Sequence, residues 1–246
     1  MIDNLVNSES TRGNPETATD LSDVAANEVP ALAKRQRMSV KDRERYIVDG
    51  AITFFSEHGF DAQLRELATA IGVTHTLVYH YFPTKQALID RVYIEVFIGR
   101  WKPEWEDLLN AKSLSVEEKL IQFYVDYART VLAREFVRIL IFSGLTDRSI
   151  TDRFFKMLGD KLFPRIIRET RRHRGCKSRS KTTVREHELL MGLHGGIFYG
   201  GLSRFVYGQA MHEDSPAMDD ETIIADRVRS YLQSSLELDP RASEDT

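Results

Sequence analysis

From Ser39 to about Asp239, apolar residues recur three and four positions apart, and alternating β-branched runs are scarce. That period belongs to amphipathic helices, so the spacing predicts an all-α chain of near nine helices. Ser39 and Asp42 form a capping-box-like start; Ile47, Ala51, Phe54, Phe55 and His58 then share one face, and Gly59 ends the helix. Ser115 and Glu118 repeat the start signal ahead of Leu120, Phe123, Tyr124 and Tyr127. A long helix from about Thr84 is expected to kink or end near Pro103, which lacks a backbone donor. Further helices are expected at about 134–145, 150–173, 184–210 and 219–237. Residues 1–33 are polar, contain two prolines and show no helical stripe, so they read as a disordered tail.

One short stretch stands apart. In Leu64-Arg65-Glu66-Leu67-Ala68 the apolar positions Leu64, Leu67, Ala68 and Ile71 give a helix of about two turns. Gly72 supplies the positive φ of a sharp turn, Val73 plugs it, and Thr74 is a good N-cap for a second helix with Val78 and Tyr81 inward. Ala68 is small where the two helices approach each other. Together these features predict a helix-turn-helix at 64–83. The other face of the second helix presents Thr74, His75, Thr76, Leu77 and His80, with the hydroxyls of Tyr79 and Tyr81. Hydroxyl and imidazole groups bond phosphates or base edges, and Leu77 suits a thymine methyl. Thr84 caps the next helix, whose start attracts phosphate. Lys85, a cation opposing the macrodipole of that first turn, favours an anionic partner.

Charge supports this reading only after it is divided along the chain. The 246 residues hold 34 Lys and Arg against 37 Asp and Glu, for a net −3. Residues 1–33 carry −5 and residues 212–246 carry −7, so 34–211 carries +9. Lys34-Arg35-Gln36-Arg37 is a basic arm that reads either as a solubilising linker or as a phosphate or minor-groove contact. The single cysteine, Cys176, excludes an internal disulfide framework and an all-cysteine zinc site. No apolar run nears the ~20 residues of a bilayer-spanning helix. The first residues, MIDNLVNSES, lack the basic and apolar parts of a secretory leader, so a cytoplasmic protein without membrane contact is expected.

The run Arg43, Ile47, Ala51, Phe54, Gly59-Phe60, Arg65-Glu66-Leu67-Ala68, Gly72-Val73, Tyr79-His80-Tyr81-Phe82 and Lys85 resembles the N-terminal domain of the TetR family of bacterial transcriptional regulators. The resemblance covers about residues 41–101. It implies a homodimer that binds double-stranded DNA at an inverted-repeat operator, and a larger C-terminal helical domain that dimerises and binds a small effector. It also implies backbone contacts from Thr74 and Tyr79, base contacts from His75 and Thr76, and a phosphate contact from Lys85. Two departures stand out. Asp61-Ala62-Gln63 replaces the family's hydroxyl pair, leaving Gln63 or Arg65 to make that phosphate contact, and Thr76-Leu77-Val78 replaces the common Gly-Thr-Leu. The resulting division is a tail and basic arm at 1–38, a DNA-binding domain at 39–101, an effector-binding and dimerisation domain at 102–239, and a tail at 240–246.

The C-terminal part carries no motif of its own. Trp101 and Trp105 flank the Pro103 break, where a pocket has room; with Phe123 and Tyr127 they are the candidate lining for an apolar or aromatic effector. Gly195, Gly196, Gly200 and Gly201 permit close helix packing and, with Val228 and Tyr231 of the final helix, are the candidate dimer seam. His187 and His194 stand seven apart, without the spacing or carboxylate of a metal set, and read as capped or solvated. No metal or other cofactor is expected. The basic cluster from Arg165 to Arg185 reads as a solvated face, with nucleic-acid binding as its alternative. Function is therefore expected to be that of a ligand-responsive repressor rather than an enzyme. The alternatives are an activator of the same fold or a helical enzyme built on His187, Glu188 and His194.

Overall fold

In the computed structural model, residues 38–209 and 220–238 are described. The expected terminal tails and the basic arm lie outside the described residues. Among the described residues the chain is all helical, with eleven α-helices and two π-helical turns. The difference from nine comes from the places where long helices break.

The first four helices are α1 (Val40–His58), α2 (Leu64–Ala70), α3 (His75–Tyr81) and α4 (Lys85–Tyr93). Ser39 caps α1 by accepting the Asp42 amide at 3.1 Å, and Gly59 ends it at φ +74°. Gly72 turns α2 into α3 at φ +67°, and Thr74 caps α3 by accepting the Leu77 amide at 3.2 Å. Phe55, Leu67, Val78 and Leu88, one from each helix, are fully buried together.

The chain leaves α4 through a π turn at Ile94–Ile98, so the long helix ends at Gly99 rather than near Pro103. The wider turn absorbs an extra residue while keeping Val96 and Phe97 on the buried face. Pro103 instead precedes α5 (Glu104–Asn110). There follow α6 (Val116–Val131), α7 (Arg134–Leu145), α8 (Ser149–Met157), α9 (Phe163–His173), α10 (Val184–Phe205) and α11 (Asp220–Ser235). The helix expected at 150–173 is two helices joined by a second π turn at Leu158–Leu162. Pro164 is tolerated in the first turn of α9, where no intrahelical amide is needed. α6 packs against α5, α9, α10 and α11, while α7 packs against α1, α8 and α10. α7 therefore joins the helix-turn-helix scaffold to the remaining helices.

Candidate nucleic-acid interface

The face predicted for DNA contact is assembled on α2, α3 and the start of α4. Gln63, Arg65, Thr74, Thr76, Tyr79, His80 and Thr84 are exposed. His75, Leu77, Tyr81 and Lys85 are half-buried, and Leu77 and Tyr81 also pack on the core beneath α3. The His75 and Tyr79 rings meet edge to face at 4.6 Å, which preorganises two of the candidate contact groups. Thr74 and Thr84 each use a hydroxyl lone pair to cap a helix, Thr84 accepting the Ala87 amide at 3.0 Å. Each keeps its hydroxyl hydrogen to donate outward. Gln63 precedes α2, and its backbone N–H donates to the Glu66 carboxylate at 2.9 Å, fixing the backbone of that corner.

Three scaffold contacts were not anticipated from the spacing. The Lys85 ammonium donates to the Phe60 carbonyl, tying the start of α4 to the loop after α1. Only its remaining N–H groups are free for an anion. Tyr46 on α1 donates its hydroxyl to the Ile71 carbonyl at the helix-turn-helix corner, 2.7 Å away. Gly50 sits where a Cβ would come within 2.5 Å of Ile71, so only glycine lets α1 lie so close to the turn. These are long-range approaches between residues 21 or more apart, and no local pattern signals them.

The four candidate effector residues form one aromatic cluster. Trp101 meets Trp105 at 5.4 Å between centroids, Trp105 meets Phe123 at 5.6 Å, and Phe123 stacks on Tyr127 at 5.5 Å. The Trp105 indole donates to Asp126 at 2.7 Å, whereas the buried Trp101 indole nitrogen has no partner among the described residues. Tyr127 extends the cluster to His194, 5.5 Å away. His187 is exposed, but His194 is buried, contrary to the capped or solvated reading. Burial pushes the His194 imidazole down to about 4, so it is neutral at physiological pH. Among the described residues, no group of three or more His, Cys, Asp or Glu side chains is placed to hold a metal ion.

The glycines of α10 divide between two roles. A Cβ on Gly196 would meet Arg227 of α11 at 2.5 Å, and one on Gly201 would meet Val137 of α7 at 3.1 Å. Both serve packing within the subunit. Gly195 and Gly200 have open space where a Cβ would stand. Val228 and Tyr231 are buried in the subunit's own core. The basic cluster also departs from a wholly solvated face: the Arg171 and Arg174 side chains are buried against Glu186. Their positive charge is directed inward because Glu186, in the capping box of α10, lies under the end of α9.

Residues 47–92 match the family model described as bacterial regulatory proteins, tetR family. A transcriptional regulator of Shigella flexneri, AcrR, is 25% identical over 114 residues, covering 45% of this chain and 53% of that protein. The transcriptional repressor Rv1474c of Mycobacterium tuberculosis is 45% identical over 47 residues, covering 19% of this chain and 25% of the repressor. The chain thus spans about half, or less, of these relatives' lengths. A TetR-like transcriptional regulator from Rhodococcus superposes with a TM-score of 0.58 at 16% identity, covering 82% of this chain and all of that structure. Residues 47–92 thus match a tetR-type regulator domain, and the helices around them share the all-helical fold of the Rhodococcus structure.

Proposed function

We propose that the protein is a sequence-specific DNA-binding transcriptional regulator without enzymatic activity, acting in the cytoplasm as a homodimeric repressor. The observation that carries this reading is the exposed α3 face, where Thr74, Thr76, Tyr79 and His80 stand over a helix pinned from below by the fully buried Val78. A short helix fixed in this way can enter a major groove without losing its orientation. Thr74, Tyr79, Thr84 and Lys85 take phosphates, His75, Thr76 and His80 take base edges, and Gln63 or Arg65 takes the flanking phosphate. Residues 39–101 form the DNA-binding part and residues 102–239 the effector-binding and dimerisation part.

A small apolar or aromatic effector, held beside Trp101, Trp105, Phe123 and Tyr127, releases the operator by shifting α7 against α1. The outward strip at Gly195 and Gly200 pairs with a second copy of the chain. Selection of bound fragments from a random DNA library by the purified protein tests the reading. Enrichment of an inverted repeat, with half-sites about one helical turn or slightly more apart, is the expected result. Failure to enrich any sequence, repeated after unfolding and refolding to strip bound ligand, would overturn it.

A further inference from the structure

At the junction of α9 and α10, two buried cations share one carboxylate. Arg171 and Arg174 are 8% and 6% exposed in their side chains, and Glu186 is 6% exposed. Arg171 uses all its nitrogens. Its Nε and Nη2 meet the two Glu186 oxygens at 2.7 and 2.6 Å, and Nη1 and Nη2 reach the Ser180 and Lys181 carbonyls at 2.8 and 3.0 Å. Arg174 offers only Nη2 to Glu186, and its buried Nε and Nη1 have no partner among the described residues. A buried cation with unused donors is a costly arrangement that an anion relieves.

Among the described residues, no acid besides Glu186 is paired with Arg174. Glu169 is claimed by the buried Lys119 at 2.7 Å and by Arg172 at 3.0 Å. The Tyr231 hydroxyl, in the field of both Glu186 and Arg174, is shared with Thr170 at 2.8 Å. Beyond Tyr231 the interior continues to the fully buried Tyr124, whose hydroxyl is also unpartnered, and to His194, whose Nδ1 is unpartnered as well. The Tyr124 and His194 rings lie 6.0 Å apart. Unused polar atoms at the end of α9, on α6 and on α10 are thus linked through Tyr231, which lies in the field of Arg174 and in turn acts on Tyr124.

We propose that this region binds a small organic carboxylate, its carboxylate on the unused Arg174 donors and its apolar body against Tyr124, Tyr127 and His194. The inference deepens the effector reading above and rests on it for its regulatory meaning. The neutral imidazole and the phenol add hydrogen-bonding capacity without adding charge, so Arg174 supplies the preference for an anion.

Phenylacetate and octanoate, set against phenylacetamide and octanamide, test the site by thermal unfolding and titration calorimetry of the full chain. At about 100 times its Kd, a bound carboxylate should raise Tm by roughly 5 °C, and the amides should leave it unchanged. Arg174→Met should erase that rise while melting at or above the ligand-free wild type, because Arg171 still pairs Glu186. Arg171→Met, by contrast, should melt several degrees lower. Equal binding of acids and amides, no shift with either acid, or an Arg174→Met protein that melts as low as Arg171→Met would overturn the proposal. The same acids are then added to the operator complex. An acid that raises Tm but leaves DNA affinity unchanged upholds the site and removes its regulatory role. Release by the amides alone upholds the regulator and overturns the carboxylate.

Discussion

The guanidinium of Arg138, on α7, donates from Nε to the Ser56 carbonyl at 2.6 Å and from Nη1 to the Phe205 carbonyl at 3.3 Å. Ser56 lies in the last turn of α1, and Phe205 is the last residue of α10. Carbonyls at helix C-termini lack intrahelical donors and carry the negative end of the dipole, so one cation satisfies two helix ends. α1 supports the helix-turn-helix and α10 lies in the C-terminal part, so a shift of either is felt through the same side chain.

Arg138→Met is expected to lower stability by about 1–3 kcal/mol, since two part-buried carbonyls lose a charged donor. Urea unfolding followed by circular dichroism measures it. Arg138→Lys should recover only part of the loss, because an ammonium lacks the reach of a planar fork across both carbonyls. Full recovery by lysine would show that charge alone suffices.

Tyr79→Phe and Lys85→Met should separate two kinds of DNA contact. Removing the Tyr79 hydroxyl is expected to weaken binding by about 1 kcal/mol on every sequence without changing the salt dependence, because a neutral group releases no counterion. Lys85→Met should reduce the slope of log K against log salt by about 1 and also lower Tm, since Lys85 ties α4 to the Phe60 carbonyl. Fluorescence anisotropy over a salt series, paired with thermal melts, tests both. A Lys85→Met protein with wild-type Tm would show that the tie to Phe60 is immaterial.

Gly59→Ala should destabilise more than Gly72→Ala. Both glycines have positive φ, a strain of roughly 1–2 kcal/mol for an L-residue. A Cβ on Gly59 would also press on the Phe142 ring at 3.0 Å, whereas one on Gly72 meets open space. Denaturant midpoints of the two variants rank them; the reverse order would show that the ring contact yields freely.

The buried imidazole of His194 gives stability a defined pH dependence. Its folded value of about 4 lies below the unfolded value near 6.5, so the unfolded chain binds the proton first. Its contribution is complete above pH 6.5 and is lost as pH falls from there towards 4, by on the order of 3 kcal/mol. Glu186, held down at about 2, loses its contribution only below about pH 4.5, so unfolding between pH 7 and 5 isolates the histidine. His194→Gln should flatten the profile over that interval. An unchanged profile would place the sensitivity elsewhere.

The helix-turn-helix was legible because its signals are local. The period of Leu64, Leu67, Ala68 and Ile71, the glycine at 72 and the caps Thr74 and Thr84 each act within one turn, and the observed caps fall on those residues. The aromatic cluster from Trp101 to Tyr127 was legible in composition, though its extension to His194 was not. Helix ends were read less well where a π turn replaced a break, because residues 94–98 contain neither glycine nor proline.

Spacing within a few residues therefore sets the helical class, the caps, the sharp turn at Gly72 and the polar set on α3. Packing between distant segments is what leans Lys85 on Phe60, bridges α1 and α10 through Arg138, and buries Arg174 with unused donors. An arginine in a basic run has the same local pattern whether it faces water or the core. The acid that Arg171 and Arg174 share, Glu186, stands 15 and 12 residues away, and packing of α9 against α10 brings it to them.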